Sequence, residues 1–323
     1  MAANKNNPHV LIFPYPSQGP LNCMMKLAEL LAVAGLHVTL LNTEDTHHRL
    51  SLSSASLPTI PLLRFKSIPD GLPDDQPRDA SLLIDVAKSL NMNSRLLLRD
   101  LLLAKPSGDT SDAFPPVSCV IVDGFLPFVV DLSEEIGLPC LSFRTPSACS
   151  IWAYLCTPKL FQNGELPFRE GVDLDELVKG VPGMEGFLRR RDLPEFFRGV
   201  KTADDPKVKF MATVSAYSGK TRGFILNTTE VLESTAVHHI RSQIPVTYAV
   251  GPLHAILKSY RSACGSTDAS SYTSSESAAR FRQSARDMAD AVKESIAEGG
   301  SSFREFHRLI EDIKSMSNSV VLN

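Results

Sequence analysis

HVLIFPYPSQGPLNCMMKLAELLAVAGLHVTLLN runs from His9 to Asn42 and decides the architecture of the chain. Its opening, His9 to Tyr15, is a near-continuous apolar run, as expected of a strand buried on both faces. From Leu21 the spacing changes. Leu27, Leu30, Leu31 and Ala34 fall on one side of a helix, and Gly35 stops it. His37 to Asn42 is a second strand. Strand, helix and strand make a βαβ unit, whose crossover should be right-handed and whose sheet should be parallel. The joint between the first strand and the helix, FPYPSQGPLNC (Phe13 to Cys23), raises the functional question. Ser17, Gln18 and Gly19 bring small polar groups and free backbone to a helix start, where N–H groups favour anions or polar ligands. Pro20 brings no chemistry and suits the first helical position, where its fixed φ fits and its missing N–H is no loss.

The alternation continues outward from this unit. Extended residues Ile60 to Ile68 precede a Pro/Asp-rich loop through Arg78 and a helix over Ser81 to Ala104. Then come a strand at Val117 to Asp123, the helix FVVDLSEEIG, a strand at Pro139 to Phe143 and the helical stretch SACSIWAYLCTPKLF. Strand signals return at Gly223 to Thr228 and Val246 to Leu253. Residues 1–257 therefore read as one doubly wound, mostly parallel α/β domain. Residues 258–277 are Ser-rich without apolar period and read as a linker. Residues 278–317 read as two amphipathic helices, divided by Gly299-Gly300 and re-capped by Ser301-Ser302. Two helices cannot form a domain alone, so they dock on the first or stay loose.

Composition bounds the partners. The chain has 323 residues, 43% apolar and 21% charged, with a net charge of −3 and both signs interspersed. That excludes a nucleic-acid footprint or a polybasic membrane patch and favours a small-molecule partner. The apolar run before Pro16 is too short for a signal peptide's core or a membrane span, so a cytoplasmic location is expected. Six scattered cysteines lack zinc-ligand spacing and fit a reducing compartment. His47-His48 and His238-His239 are adjacent pairs that point apart, with no carboxylate cluster beside them, so no metal is expected.

In an open parallel sheet, ligands bind beyond the carboxyl ends of the strands. Three loops share that edge: Ser17 to Asn22, Asp123 to Phe128 and Arg144 to Cys149. Asp123 is the only carboxylate among them. Pattern leaves it between two roles: cap for the helix after Pro127, with Gly124 giving the turn, or catalytic acid-base partner. Thr145 and Ser147 read first as caps for the helix carrying Trp152. Neither GxGxxG nor GxxxxGK[ST] occurs at these loops, so a dinucleotide enzyme ranks low.

Several segments together resemble one family. The stretch Pro8 to Leu257, notably HVLIFPYPSQGPLNCMMKLAELLAVAGLHVTLLNTE, VIVDGFLPFVVDLSEEIGLP, GFILNTTEVLE and YAVGPLHAIL, is similar to the N-terminal domain of plant UDP-dependent glycosyltransferases of small metabolites. VKGVPGMEGFLRRRDLP points to the iridoid glucosyltransferase branch, and Ala278 to Ser317 resembles the family's extreme C-terminus. The resemblance implies the N-terminal half of a GT-B fold plus C-terminal helices, with an acceptor pocket here and a UDP-sugar site in a second domain. It implies UDP-glucose as co-substrate and no cofactor. It also implies a histidine after the first strand, oriented by an aspartate, that deprotonates the acceptor hydroxyl for inverting attack on the sugar. Asp123 matches the aspartate; Pro20 stands where the histidine should be. Ser17, Gln18, Gly19, Thr145 and Ser147 become the expected acceptor-binding residues.

The family's donor segment, with its Trp, His-Cys-Gly-Trp-Asn and Asp/Glu-Gln residues, has no counterpart between YAVGPLHAIL and the final helices. Two readings stay open. One is a UDP-glucosyltransferase acting on a small apolar alcohol or acid, impaired by loss of the donor domain; an ionised acid acceptor would need no base. The other is a truncated, catalytically silent relative that binds acceptor-like ligands or a partner. In either, the face turned toward the missing domain would invite self-association unless the terminal helices cover it.

Overall fold

The computed structural model describes residues 7–52, 60–73, 76, 78, 82–104, 114–262 and 277–320. Among the described residues, seven parallel strands form one sheet: β1 (His9–Phe13), β2 (His37–Thr43), β3 (Leu63–Ile68), β4 (Cys119–Asp123), β5 (Cys140–Arg144), β6 (Gly223–Leu226) and β7 (Thr247–Ala249), in the order β3-β2-β1-β4-β5-β6-β7. In register, His9 faces His37 on one side of β1 and Val10 faces Cys119 on the other. The order reverses between β1 and β4, the switch point where an open sheet leaves a crevice at its carboxyl edge.

The helices are α1 (Gln18–Val33), α2 (Glu44–Leu52), α3 (Leu83–Leu103), α4 (Pro127–Glu135), α5 (Ala148–Leu155), α6 (Thr157–Gln162), α7 (Pro206–Ser218), α8 (Glu230–Gln243), α9 (Leu253–Ser262), α10 (Ser277–Ile296) and α11 (Ser301–Val320). They cover both sheet faces, which is why β1, β2, β4 and β5 are buried at every residue and read as continuous apolar runs. Alternation sorts the side chains. Val10 and Ile12 pack toward α1, α9 and α11, while Leu11 and Phe13 pack toward α3 and α4. A third cluster joins α5, α6 and α8 around Trp152, Val181 and Leu226.

Periodicity located β1, α1, β2, α3, β4 and β5 closely, but α2, α7 and α8 carried no reading of their own. One boundary is corrected. Residues 258–262, placed in the linker, are the end of α9, because Leu253, Ile256 and Leu257 repeat at helical spacing and are buried against α1. The rest of that Ser-rich stretch, 263–276, lies outside the described residues.

The last helix contacts the sheet. Phe306, Leu309, Ile310 and Ile313 of α11 are buried in the same cluster as Val10, Ile121 and Tyr248. Around them, Tyr248 Oη donates to Asp312 Oδ2 at 2.7 Å, and Arg308 Nη2 donates to the Thr247 carbonyl at 2.7 Å. Helix α10 packs on α8 and α11 with its outer residues exposed.

Candidate functional site

A cavity of about 930 Å³ opens at the carboxyl edge beside the switch point. Tyr15, Ser17 and Pro20 enter it from the β1–α1 joint, Phe125 from the turn after β4 and Thr145 from the turn after β5. Leu83 and Ile84 of α3, Tyr154 of α5, Phe196 of the short turn Glu195–Phe197 and Met211 of α7 complete a largely apolar, aromatic wall. A concave apolar space with a few polar groups at a topological switch point is the usual setting for a small organic ligand. A second cleft, lined by Gly137 to Cys140 and Lys220 to Arg222, sits at the opposite edge, where β5 and β6 begin and the βα loops do not reach.

The expected acceptor residues divide. Ser17 and Thr145 line the cavity, half-buried. Gln18 and Gly19 are exposed and lie outside its lining, and exposed Ser147 caps α5, its Oγ accepting from Ser150 N at 3.2 Å. Pro20 is buried and lines the cavity, but as the third residue of α1 rather than the first. The first helical bond runs from Leu21 N to the Ser17 carbonyl at 3.1 Å, so proline occupies the last position whose N–H has no helical partner. The helix start loses nothing by it.

Asp123 does not cap α4, whose N-cap is Leu126. The chain instead turns tightly at Gly124, with Leu126 N bonding the Asp123 carbonyl at 2.9 Å, and Oδ1 accepts Phe125 N at 2.9 Å. An aspartate bonded two residues ahead holds a turn, not a helix end. Its Oδ2 is buried with no hydrogen-bond partner. Burial pushes its carboxyl up to about 6, against the pull of the Phe125 N–H, the Arg144 charge and the Tyr15 N–H.

No histidine lines the cavity. His47 and His48 lie on α2 and His254 on α9, none of them among its walls. His9, at the far end of β1, is held between the Pro115 carbonyl at 2.7 Å and Thr39 Oγ1 at 2.8 Å, and burial drops its ring to about 3. His239 stacks flat on Trp152, centroids 5.0 Å apart. Among the described residues no three His, Cys, Asp or Glu side chains gather as metal ligands would.

Two residues escaped the sequence reading. Arg144 ends β5 with a buried guanidinium beside Phe125, and its only signal was a charge closing the apolar run CLSF. Glu233, from an irregular turn within α8, accepts the Ala148 and Cys149 N–H groups at 3.1 and 2.9 Å and so fixes the start of α5, which carries Tyr154. That contact spans the chain too widely for any local pattern to reveal.

A seven-stranded parallel sheet among the described residues, a crevice at β1/β4 and a terminal helix folded back on the sheet make the arrangement of the N-terminal α/β half of a GT-B fold. Two solved structures share this fold: a UDP-glucosyltransferase from Polygonum tinctorium capable of glucosylating indoxyl, in complex with 3,4-dichloroaniline, and Medicago truncatula UGT71G1 complexed with UDP-glucose. Each has a TM-score of 0.57 and 21% identity, covering 78% of this chain and 54% and 53% of theirs. By sequence the chain is a homologue of the plant UDP-glycosyltransferases. It is 40% identical over 261 residues to myricetin 3-O-rhamnoside 1,2-glucosyltransferase UGT709G2 of Crocosmia x crocosmiiflora, covering 81% of this chain and 54% of that protein. It is 40% identical over 255 residues to 7-deoxyloganetic acid glucosyltransferase of Catharanthus roseus, covering 78% and 52%. The chain spans about half the length of the curated relatives it matches. It matches no family model.

Proposed function

We propose that this chain is the acceptor-binding unit of a plant UDP-glucosyltransferase of small metabolites, that it holds an apolar alcohol or acid of the iridoid or terpenoid kind, and that by itself it does not transfer glucose. The observation that carries this reading is the cavity of about 930 Å³ at the carboxyl edge, walled by the loops after β1, β4 and β5. Ser17 and Thr145 supply its polar contacts, and the aromatic side chains Tyr15, Phe125, Tyr154 and Phe196 supply apolar area. Transfer gains its rate from holding donor and acceptor together and from stabilising the departing diphosphate. The matching segments contribute the acceptor side of that arrangement. Pro20 further removes the side chain that would take the acceptor's proton, worth roughly 10²- to 10⁴-fold. A buried aspartate that still ends β4 without a ring N–H to hold is the remnant of that pair.

Calorimetry and thermal shift with UDP-glucose, and with a panel of iridoid, terpenoid and phenolic acceptors, test the reading. Acceptors should bind and raise Tm while UDP-glucose does neither, and a UDP-release assay should show no turnover. Tight donor binding, or glucosylation of any panel member, would overturn it. Pro20→His should leave the UDP-release assay silent, because a restored base has no held donor to act with; turnover from that single change would sink the donor-side argument.

A further inference from the structure

The chemistry of the cavity's ligand can be narrowed, granted the acceptor-site reading above. Arg144 is 2% exposed, the bulkiest of the fully buried side chains. Its stem fills the space left by Gly124, where a Cβ would come within 2.3 Å of Arg144 Cδ. Its Nε and Nη2 are buried with no hydrogen-bond partner. These two nitrogens present parallel N–H bonds along one edge of the guanidinium, the edge that grips a carboxylate in a two-pronged contact.

The group stands directly behind the aromatic wall. Its guanidinium carbon lies 5.2 Å from the Phe125 ring centroid, its charge acts on Tyr154, and the next residue is Thr145; all three line the cavity. The ring face of Phe125 meets only part of the need of a buried cation. Asp123, the carboxylate whose charge acts on Arg144, gives Oδ1 to the Phe125 N–H and forms no hydrogen bond to the guanidinium. Buried donors left open are costly unless something takes them. The cavity rim sets no sign of its own, since Lys88, Arg198 and Lys207 are matched by Asp85, Glu195 and Asp205. The interior cation does.

We propose that the cavity takes a carboxylate-bearing apolar ligand, with the Phe125 ring turning aside so that the carboxylate accepts the paired Nε and Nη2 hydrogens of Arg144. A single cation with one open edge suits a planar, singly charged carboxylate, whereas a phosphate would call for a second cation within the wall. The ligand is thus an organic acid whose apolar body lies against Tyr15, Tyr154 and Met211.

The test compares 2-naphthoate, cinnamate and perillate with their methyl esters and corresponding alcohols, by calorimetry on the full chain and on Arg144→Met and Arg144→Lys. On the wild type each acid should bind roughly 10- to 100-fold more tightly than its ester, the scale of a charged hydrogen-bonded contact. The preference should vanish in R144M and survive only in part in R144K, which keeps the charge but not the fork. Equal affinity for acid and ester on the wild type, or a preference that persists undiminished in R144M, overturns the carboxylate assignment and leaves the acceptor-site reading standing. Absence of binding by every acid, ester and alcohol overturns both. Circular dichroism reports whether R144M folds; should it not, the wild-type pairs and R144K decide the question.

Discussion

Asp123 and Arg144 end neighbouring strands, and each leaves a buried polar atom without a hydrogen-bond partner. Such atoms are uncommon inside folded proteins, and three of them, Asp123 Oδ2 and Arg144 Nε and Nη2, belong to the last residues of these two paired strands. Asp123 has a measurable consequence. Burial raises its folded pKa to about 6 from an ordinary value of 3.8, while Arg144 of β5 and the N–H groups of Phe125 and Tyr15 pull it down and Cys23 of α1 faces the same carboxylate. A folded value above the unfolded one means a contribution present below about pH 4 that is lost as pH rises through 6. Asp123→Asn should therefore gain stability over the wild type by roughly 3 kcal/mol between about pH 4 and pH 7. Urea melts across that window measure it; a constant difference between the two proteins would mean that the carboxyl titrates normally. The sequence marked Asp123 as the one carboxylate among the three loops at the carboxyl edge, yet not the burial that shifts it, because burial comes from residues far along the chain.

At the scale of the element, the helix that carries Tyr154 depends on a contact from elsewhere in the chain. Its start, Ala148 and Cys149, donates two N–H groups to Glu233 of α8, and anions at a helix N-terminus are stabilising. Burial alone would raise the Glu233 pKa, but the Thr228 hydroxyl and the two N–H groups outweigh it and hold the carboxyl below its usual range. A depressed folded value gives stability that is present above the unfolded pKa and lost as pH falls through the folded one. Glu233→Ala should cost about 1–2 kcal/mol at neutral pH, a cost that shrinks in acid. Chemical denaturation at neutral and acid pH checks this, and a pH-independent cost would point to lost packing instead. Helix α1 is the contrasting case. Its apolar positions and Gly35 were legible in the chain, as was the ease with which Pro20 enters its first turn.

For the whole molecule, the question is what closes the sheet face that β1, β4 and β7 present opposite α3 and α4. Helix α11 does so, with Leu309 and Ile313 fully buried against the strands and Ser317 Oγ 2.9 Å from Ser118 Oγ near the start of β4. Leu309→Ala should lower stability by about 2–5 kcal/mol, read as a lower urea midpoint with an unchanged slope. A loss below about 1 kcal/mol would mean that α11 rests on the sheet without sharing its core. Amphipathic spacing over residues 302–316 announced a helix with one apolar face, but a face does not name its partner. Its partners are β7, 61 residues back at the Arg308–Thr247 bond, and β4, 199 residues back at the Ser317–Ser118 contact.

What the sequence determined by itself was the periodic part: buried parallel strands as unbroken apolar runs, crossover helices and the switch-point loops. These follow from short-range spacing, which local sterics and burial translate directly into structure. What only the tertiary structure decided was which loop residues face the cavity. Ser17, Pro20 and Thr145 do, while Gln18, Gly19 and Ser147 do not. It also decided that Arg144 lies buried with two open donors behind Phe125 and Tyr154. The physical reason is that a charge's meaning depends on what surrounds it. The surroundings of Arg144 come from β4 and α5, elements that only folding brings together.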